Sequence, residues 1–188
     1  MNKAQLRLCS LNKRESLDSE YIRVSGISIC NSLTDSLIYR QADLILCYVP
    51  MKSEVNTLPL IINALAIGKT VAVPYCRSKE MTFRVISSLD DLTQGTFGTL
   101  TAVDSCETVR VFENCLCIVP ALTCDRECNR IGYGGGYYDR FLSVNNNIRT
   151  VCLCYEKCIL ESVPVNKHDI KVDTVLTEKH IYGGALNA

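Results

Sequence analysis

The stretch ADLILCYVP, residues 42–50, is a continuous apolar run that ends at a proline. Such a run is typical of a short strand that is buried on both faces of a sheet. The next segment, EVNTLPLIINALAIGK at residues 54–69, predicts a helix with Thr57 as its N-cap and Gly68 at its end. TVAVP at residues 70–74 predicts a second buried strand. Strand, helix and strand in this order form the unit of a parallel sheet.

The rest of the chain continues this alternation. Residues 2 to about 31 predict helix, with a break near Ser25–Gly26. A helix is also predicted to begin in GGYYDRFLS, residues 135–143. Further strands are predicted in MTFRVI (81–86), NCLCIVP (114–120), IRTVCLCY (148–155) and DTVLT (173–177). No linker, repeat or low-complexity tract divides the sequence, so residues 1–188 are predicted to form one α/β domain with a mostly parallel sheet.

Composition and charge argue against several classes of protein. Apolar residues make up 47% of the 188 residues and charged residues 21%, which is typical of a globular domain. Lysine plus arginine equals aspartate plus glutamate at 20 each, so no overall field attracts nucleic acid or an anionic membrane. The N-terminus lacks an apolar secretory core, and the longest apolar stretch, residues 58–68, is too short to span a bilayer. We therefore predict a cytoplasmic protein without a membrane or nucleic-acid partner.

The twelve cysteines are interpreted mainly as core residues. Thiols stay reduced in the cytosol, so a disulfide framework is not expected. Two pairs lie one residue apart inside apolar strands, which places each pair on one strand face: Cys115 with Cys117, and Cys152 with Cys154. A structural zinc site is the alternative, in residues 124–128 or 154–158, but neither segment is followed by a second pair of ligands at zinc spacing.

Three polar loops follow predicted strands. They are PMKSEVNT (50–57), PYCRSKE (74–80) and PALTCDRECNRIGYGGG (120–136). In open parallel sheets, ligands bind beyond the carboxyl ends of the strands. We therefore expect the functional site where these loops meet.

The stretch NRIGYGGGYYDRF, residues 129–141, has features of an anion site. It lacks the Lys-Ser/Thr of a Walker A loop, and the dinucleotide-binding pattern would need glycine at Tyr137. Nevertheless, residues 134–136 are glycines that let main-chain N–H groups approach a phosphate at a helix N-terminus. Arg130 adds positive charge, and Asp139 could hold Mg²⁺. The alternative is a glycine turn followed by a helix-capping acid.

Other charged residues are candidates for the same site. Lys3 and Arg7 lie four apart and share one helix face, although a solvated basic face is the alternative. Glu54 follows a strand and could contact a ligand amine or amide, or simply favour the start of a helix. Asp169 or Asp173 could supply a second carboxylate to a metal. A catalytic triad at His168 is not supported, because no motif ties a nucleophile to it.

Taken together, the sequence resembles the 5-formyltetrahydrofolate cyclo-ligase family, also called 5,10-methenyltetrahydrofolate synthetases. The resemblance covers nearly the whole chain, and its most specific part is RIGYGGGYYDR. It implies a three-layer α/β/α sandwich with a mostly parallel, Rossmann-like sheet of the NagB/RpiA/CoA-transferase-like kind. The matching segments are KAQLR (3–7), YVPMKSEVNTLPLIINALAIGKTVAVP (48–74), MTF (81–83), GTFG (95–98), VPALTCDRECNRIGYGGGYYDRFL (119–142) and VPVNKHDIKVDTVLTE (163–178).

The resemblance implies an ATP- and Mg²⁺-dependent ligase. The implied reaction converts 5-formyltetrahydrofolate to 5,10-methenyltetrahydrofolate through a phosphorylated formyl group, an iminophosphate, and releases ADP and phosphate. The implied substrate is a folate with or without a polyglutamate tail, and a monomer is favoured over an oligomer. Such catalysis depends on positioning and on neutralisation of charge.

The resemblance also implies roles for individual residues. Arg130, Tyr137 and Lys3 would be catalytic. The ATP-binding residues would be Lys3, Ala4, Gln5, Leu6, Arg7, Arg130, Ile131, Gly132, Tyr133, Gly134, Gly135, Gly136, Tyr137 and Tyr138. The folate-binding residues would be Arg7, Val49, Glu54, Tyr133, Gly134, Gly135, Gly136 and Tyr137. The Mg²⁺ ligands would be Asp139 and Asp169.

Two positions depart from the family pattern. Asn56 stands where members carry an acid, and TLTAVD at residues 99–104 stands where members often carry a Glu-Pro pair. Two other functions are compatible with the fold: an enzyme acting on sugar phosphates or thioesters, and a binding module without activity. The first does not need Lys3 and Arg7 together with the glycine stretch, and the second would tolerate loss of Arg130 or Asp139, which are both present.

Overall fold

The structure, a computed structural model, describes residues 2–95, 98–184 and 186. Two residues of the GTFG segment, Thr96 and Phe97, therefore lie outside the described residues. The helices are α1 (Lys3–Glu15), α2 (Ser19–Thr34), α3 (Leu37–Gln41), α4 (Leu58–Ala66) and α5 (Tyr137–Val144). The strands are β1 (Leu44–Cys47), β2 (Thr70–Arg77), β3 (Glu80–Ile86), β4 (Leu92–Gln94), β5 (Leu100–Ala102), β6 (Cys115–Val119), β7 (Thr123–Asp125), β8 (Arg130–Ile131), β9 (Arg149–Leu153), β10 (Ile159–Leu160), β11 (Thr174–Leu176) and β12 (Ile181–Gly183).

A seven-stranded sheet forms the centre of the fold. Its strand order is β12-β11-β9-β6-β1-β2-β3, and every pair is parallel except β2 with β3 and β11 with β12 at the two edges. The opening stretch forms β1, which pairs with β2 on one side and β6 on the other. All four residues of β1 are buried, as its continuous apolar run predicts. The predicted α/β class with a mostly parallel sheet is confirmed.

Two smaller sheets were not predicted. The strands β10, β7 and β8 form one, and β4 and β5 form the other. These strands have two or three residues each, which is too short to show an alternating pattern in a sequence. The β7–β8 pair matters for function because it carries the chain from the central sheet to the glycine stretch.

The prediction for the first helical region was wrong about its break. The helix does not break near Ser25–Gly26, because Gly26 lies inside α2. The break falls at residues 16–18, where the Asp18 carboxylate accepts hydrogen bonds from the N–H groups of Glu20 and Tyr21. A capping acid satisfies two otherwise unpaired donors, whereas an internal glycine only weakens a helix.

Helix α4 has the predicted limits but a different N-terminal cap. Thr57 is the N-cap residue, yet its hydroxyl donates to the Tyr48 carbonyl rather than capping the helix. The Asn56 side-chain oxygen accepts from the Leu58 N–H instead, at 3.1 Å. Gly68 follows the helix with φ +80°, a conformation that glycine adopts readily. The departure at Asn56 therefore preserves a side-chain cap.

The cysteines behave as the sequence predicts. All twelve are free, and the two predicted pairs on β6 and around the end of β9 are buried in the main core. Within the described residues, no group of three or more His, Cys, Asp or Glu side chains could hold a metal ion. A cluster suited to structural zinc is therefore absent from that part of the chain. None of the described helices combines the length and the apolar character needed to span a membrane.

Candidate functional site

A cavity of about 1050 Å³ lies at the carboxyl end of the central strands. The loops after β1 and β6 contribute to its wall, as predicted from the sheet. The predicted loop at residues 74–80 was wrong in its bounds, because β2 extends to Arg77, and it is the β2 residues Pro74 and Cys76 that line the cavity. The start of α1 and the segment at residues 166–170 complete it. Residues from both ends of the chain thus meet around one space.

The glycine stretch forms one wall of this cavity. Gly134 and Gly136 have φ values of +101° and +67°, in the region that favours glycine. A Cβ atom at Gly134 would lie 3.2 Å from the Arg7 guanidinium carbon, so glycine also lets the loop approach that cation closely. The Arg7 Nε donates to the Gly132 carbonyl at 3.1 Å. Helix α5 begins directly after Gly136, so its N-terminus lies at the cavity wall.

Arg130 and Asp139 form an ion pair across this loop. The Arg130 side chain is 6% exposed, and its Nη2 donates to Asp139 Oδ1 at 2.8 Å. The same carboxylate oxygen accepts from the Ile170 N–H at 3.1 Å. Among the described residues, the buried Nε of Arg130 has no hydrogen-bond partner. A buried charged donor without a partner is costly, which is expected where a ligand supplies the missing acceptor.

Lys3 and Asp169 form a second ion pair at the cavity. Asp169 also accepts a hydrogen bond from the Asn166 N–H. Burial alone would raise the pKa of Asp169, but its bonds to Lys3 and Asn166 and the charges of Lys3 and Arg130 together lower it. The pair therefore fixes a charged carboxylate near the glycine stretch.

Asp139 and Asp169 fit the ligand set that Mg²⁺ prefers beside phosphates. Mg²⁺ is usually held by one or two carboxylates, with waters and substrate phosphates completing its coordination. The contacts described above use only Oδ1 of Asp139 and Oδ2 of Asp169. The other oxygen of each carboxylate keeps its lone pairs for a cation.

A buried carboxyl group lies at another part of the cavity wall. Glu54 is 6% exposed, and its Oε2 accepts from the Met51 N–H at 2.8 Å. Burial raises the pKa of Glu54, while the Met51 N–H, the positive charge of Arg14 and a hydrogen bond with Tyr133 act in the opposite direction. A carboxyl group in this position can accept hydrogen bonds from an amide or amine edge of a ligand.

Arg14 lies in this region but was not among the site residues predicted from the sequence. It donates to Ser53 Oγ at 3.1 Å, to the Ala121 carbonyl at 2.9 Å and to the Tyr133 hydroxyl at 2.6 Å. The spacing of residues in the sequence could have indicated its burial. Leu6, Ser10 and Arg14 are spaced four residues apart and therefore share one face of α1, and all three are buried in the structure. The sequence does not show what this face contacts.

The turn between β2 and β3 closes over the glycine stretch. The Tyr137 hydroxyl donates to the Ser78 carbonyl at 3.0 Å, and Arg140 donates to the Lys79 carbonyl at 2.8 Å. The Arg140 guanidinium also lies over the Tyr137 ring, 5.1 Å from its centre. These contacts were not predicted. Cys76, on β2 just before the turn, lines the cavity.

Most of the predicted site residues line the cavity. Those residues are Lys3, Arg7, Val49, Glu54, Arg130, Ile131, Gly132, Tyr133, Gly134, Gly135, Gly136, Tyr137, Tyr138, Asp139 and Asp169. Three others do not line it, namely Ala4, Gln5 and Leu6. Gln5 forms a capping box with Asn2, and Leu6 packs in a small core beside Leu122. The predicted contact of α1 with the ligand is therefore narrowed to Lys3 and Arg7.

The structure also decides between residues that the sequence left open. The carboxylate of Asp173 accepts from the N–H and the hydroxyl of Thr150, at 2.7 and 2.8 Å, and does not line the cavity. Asn56 does not line it either. In the divergent segment at residues 99–104, the first three residues do line it, and the Thr101 hydroxyl donates to the Pro74 carbonyl at 2.8 Å.

Comparison with known proteins gives a consistent result. A sequence model of the 5-formyltetrahydrofolate cyclo-ligase family matches residues 1–178. The chain is 27% identical to "Probable 5-formyltetrahydrofolate cyclo-ligase" of Schizosaccharomyces pombe, with 96% of this chain and 97% of the relative covered. It is 27% identical to the 5-formyltetrahydrofolate cyclo-ligase of Mycolicibacterium smegmatis, with 95% and 94% covered.

A solved structure agrees in both fold and sequence. The NMR structure of Aquifex aeolicus 5,10-methenyltetrahydrofolate synthetase superimposes with a TM-score of 0.84 at 30% identity, covering 97% of this chain and 93% of that one. The family match, the two relatives and this structure all extend over nearly the whole chain. The residues that line the cavity likewise come from positions between Lys3 and Ile170. The chain belongs to the 5-formyltetrahydrofolate cyclo-ligase family.

Proposed function

We propose that the protein catalyses the ATP- and Mg²⁺-dependent cyclisation of 5-formyltetrahydrofolate to 5,10-methenyltetrahydrofolate. The observation that carries the proposal is the cavity itself. It joins a glycine-rich helix N-terminus, cations that include Lys3, Arg7 and Arg130, and two aspartates to a separate buried carboxyl, in a chain of this family. Its volume of about 1050 Å³ lies at the upper end of the range for single-ligand pockets, which suits two substrates bound side by side.

The glycine stretch and its cations would bind the ATP phosphates. Main-chain N–H groups at the start of α5 attract negative charge, and the small glycines leave room for phosphate oxygens. Lys3, Arg7 and Arg130 would neutralise charge around the transferred phosphoryl group. The unpartnered Nε of Arg130 supports this role, because a phosphate oxygen could be its acceptor.

Asp139 and Asp169 would hold the metal ion, and Mg²⁺ would supply charge neutralisation to the phosphate oxygens. Before the ion binds, each carboxylate is already held in place by a cation and by a main-chain N–H. The chain thus orients both ligands in advance. Arg130 and Lys3 would each offset the negative charge of the carboxylate that they contact.

Val49, Glu54 and Tyr133 would bind the folate, with Glu54 accepting hydrogen bonds from its amide and amino edge. The formyl oxygen would attack the terminal phosphorus of ATP, the bond to the bridging oxygen would break, and ADP would leave. N10 of the folate would then attack the formyl carbon and lose its proton, and the carbon–oxygen bond would break to release phosphate. The residues contribute by holding both substrates in line and excluding water.

The experiment is to incubate the purified protein with ATP, Mg²⁺ and 5-formyltetrahydrofolate and to record the absorbance of the methenyl product. We expect product formation that requires all three components, with one ADP formed for each product molecule. No product and no folate-stimulated ATP hydrolysis would refute the enzyme and leave a binding module. Sugar phosphates or acyl thioesters as better substrates would favour the other enzyme class.

A variant tests the metal site within the same assay. Asp139→Asn keeps the shape of the side chain but removes one negative charge from the proposed pair. We expect a rise of about tenfold or more in the Mg²⁺ concentration needed for half-maximal rate. An unchanged Mg²⁺ dependence in a folded variant would remove Asp139 from the metal site.

A further inference from the structure

The tip of the β2–β3 hairpin, residues 75–82, projects beyond the pairing of the central sheet. The pairing of β1 with β2 ends at Ala72, whereas β3 stays paired with β2 as far as Arg77. The tip is therefore a two-stranded ribbon, and such a ribbon is only marginally stable by itself in water. Cys76 and Met81 are directly opposite each other in this ribbon, and both line the cavity. One face of the hairpin tip thus forms part of the cavity wall.

The turn at the end of the hairpin tip has a strained backbone. Ser78 has φ +58°, in the left-handed region that favours glycine. A residue other than glycine keeps such a conformation where neighbouring contacts hold it. Two such contacts come from α5: the Tyr137 hydroxyl donates to the Ser78 carbonyl at 3.0 Å, and Arg140 donates to the Lys79 carbonyl at 2.8 Å. Because both acceptors belong to the main chain, α5 holds the path of the turn itself.

Arg140 connects this turn with the glycine stretch. Its guanidinium lies over the Tyr137 ring, 5.1 Å from the ring centre, which is an attractive arrangement for a cation. The same group lies against Gly136, where a Cβ atom would be 2.8 Å from Arg140 Nη1. Arg140 also lines the cavity, although it was not among the site residues predicted from the sequence. One side chain therefore contacts the residue before α5, the first residue of α5 and the turn.

We infer that Arg140 is a positioning residue, which holds the hairpin tip over the cavity and fixes the start of α5 against it. This inference rests on the proposed function, in which the start of α5 binds the ATP phosphates. With the hairpin tip in place, the substrates are covered and water is kept from the phosphorylated formyl group.

Loss of this cover has a defined chemical consequence. Water then attacks the phosphorus of the phosphorylated formyl group and loses a proton, and the bond between the phosphorus and the formyl oxygen breaks. The products are phosphate and 5-formyltetrahydrofolate, so one ATP is consumed without cyclisation. The ratio of ADP formed to methenyl product formed therefore reports whether the hairpin tip is held in place.

Trypsin tests the position of the hairpin tip without any substrate. The tip contains trypsin sites after Arg77 and Lys79, and Arg126 in the β7–β8 turn is an internal reference site that does not line the cavity. We expect Arg140→Met to raise the rate of cleavage at the tip about fivefold relative to the rate at Arg126. Cleavage follows the population of the open tip, and the variant loses one hydrogen bond that keeps the tip closed. Mass spectrometry of the fragments measures both rates.

Two further variants and a control sharpen this test. Arg140→Lys keeps a charged donor and should recover part of the protection, whereas Tyr137→Phe removes the second hydrogen bond to the turn and should expose the hairpin tip. The matched control is Arg23→Met, because Arg23 is an exposed helix arginine that pairs with Glu20 and does not line the cavity. Its replacement should leave cleavage at the hairpin tip unchanged.

Two results of the trypsin experiment would overturn the inference. One is cleavage at the hairpin tip that is as slow in Arg140→Met as in the wild type. The other is an equal acceleration at the tip and at Arg126, which would indicate a general loosening of the fold.

The kinetic test measures the ADP formed for each molecule of methenyl product. We expect a ratio close to one in the wild type and in Arg23→Met, and a ratio at least about twofold higher in Arg140→Met, because water is no longer excluded. Arg140→Lys should give an intermediate ratio. A variant that is merely less stable loses both activities together and keeps the ratio, so an unchanged ratio in Arg140→Met would overturn the inference.

The two experiments separate failure of this inference from failure of the proposed function. Faster tryptic cleavage of the hairpin tip in Arg140→Met, in a protein without cyclo-ligase activity, would refute the proposed function and retain the role of Arg140 in holding the tip. An active enzyme in which Arg140→Met changes neither the cleavage rate nor the ratio would retain the proposed function and overturn the inference.

Discussion

At the scale of single residues, the hydrogen-bond and ion-pair partners of a charged side chain determine whether it lies at the candidate site. Asp169 and Asp173 lie four residues apart, and residue type and position alone would assign either to a metal; only the family resemblance favours Asp169. In the fold, Asp173 binds Thr150 on the neighbouring strand, whereas Asp169 meets Lys3 from the other end of the chain. No property of the two aspartates themselves distinguishes them. The difference arises from the sheet, which places Thr150 beside one and the cavity beside the other.

Glycine positions provide a prediction at this scale. A Cβ atom at Gly135 would lie 2.8 Å from the Tyr137 ring, and that ring cannot move freely because its hydroxyl donates to Ser78. We expect Gly135→Ala to shift the glycine stretch and to raise the KM for ATP by about tenfold or more, as small misplacements of substrate-positioning groups do. Kinetics at saturating folate measure this change.

Gly132→Ala is the matched variant in the same loop. A Cβ atom there meets nothing closer than Arg130 Nη1 at 3.9 Å, and Gly132 has no positive φ. Its effect on the KM for ATP should be clearly smaller than that of Gly135→Ala. If the two variants have the same KM for ATP, the clash with Tyr137 is not what restricts this position.

At the scale of helices and strands, a local sequence pattern predicts that an element exists more accurately than it predicts where the element begins and ends. The continuous apolar runs of the central strands identified them, because short runs of this composition are typical of strands buried on both faces. The break in the N-terminal helical region was misplaced at Gly26, because the cap at Asp18 outweighs the low helix propensity of one glycine.

The misplaced break leads to a stability prediction. Gly26 lies within α2, and a Cβ atom there would make only an ordinary contact with the Tyr155 hydroxyl at 3.9 Å. We expect Gly26→Ala to raise the free energy of unfolding by about 0.5–1 kcal/mol, because alanine loses less backbone entropy in a helix. Chemical denaturation of the variant and the wild type measures this change in the free energy of unfolding. Gly183→Ala should instead destabilise the protein, since Gly183 has φ +82° and its Cβ would clash with the Asp173 carbonyl.

Strand β12 depends on a carboxylate whose effect varies with pH. Glu156 accepts from the Thr177 hydroxyl at 2.7 Å and the Tyr182 hydroxyl at 2.8 Å, and pairs with His180 at 3.1 Å. Burial opposes ionisation, but these three partners together lower the pKa of Glu156 below its ordinary 4.5. The carboxylate therefore stabilises the fold above pH 4.5, and this stabilisation is lost as the pH falls through the lower pKa of the folded state.

Glu156→Gln tests this sign. We expect the variant to be less stable than the wild type by about 1 kcal/mol at neutral pH. The difference should shrink as the pH falls below 4.5 and through the lower pKa of Glu156 in the folded state, where the wild-type carboxylate becomes protonated. Denaturation curves of the variant and the wild type at several pH values measure this difference in stability. A difference that does not vary with pH would mean that the charge of Glu156 contributes nothing.

At the scale of the whole molecule, the thiols report how tightly the sheet is covered. Cys9 is exposed, Cys76 and Cys106 are partly exposed, and the other nine cysteines are buried. We expect N-ethylmaleimide to modify Cys9 first, Cys76 and Cys106 more slowly, and the buried nine only after unfolding, because buried thiols are shielded from the reagent. Burial also raises the pKa of the Cys117 thiol. Mass spectrometry of labelled peptides measures the order.

Substrates provide the control for this labelling. Cys76 lines the cavity and Cys106 does not, so ATP with 5-formyltetrahydrofolate should protect Cys76 alone. Labelling of a central-strand cysteine such as Cys117 in the native protein would contradict the closed core. Equal protection of Cys76 and Cys106 would place the ligands outside the cavity.

The sequence by itself determined the α/β class, the order of the central strands along the chain and the family, because buried strands and the glycine stretch leave patterns within a few adjacent residues. Those predictions are confirmed. It also indicated the residue types of the site. The tertiary structure alone decided that Arg14 contacts Tyr133 and that the β2–β3 turn covers the glycine stretch. It also places Asp169 rather than Asp173 at the cavity, as the family resemblance implied. Such contacts join residues from 59 to 166 positions apart, or depend on which strands become neighbours, and only the folded sheet specifies that proximity.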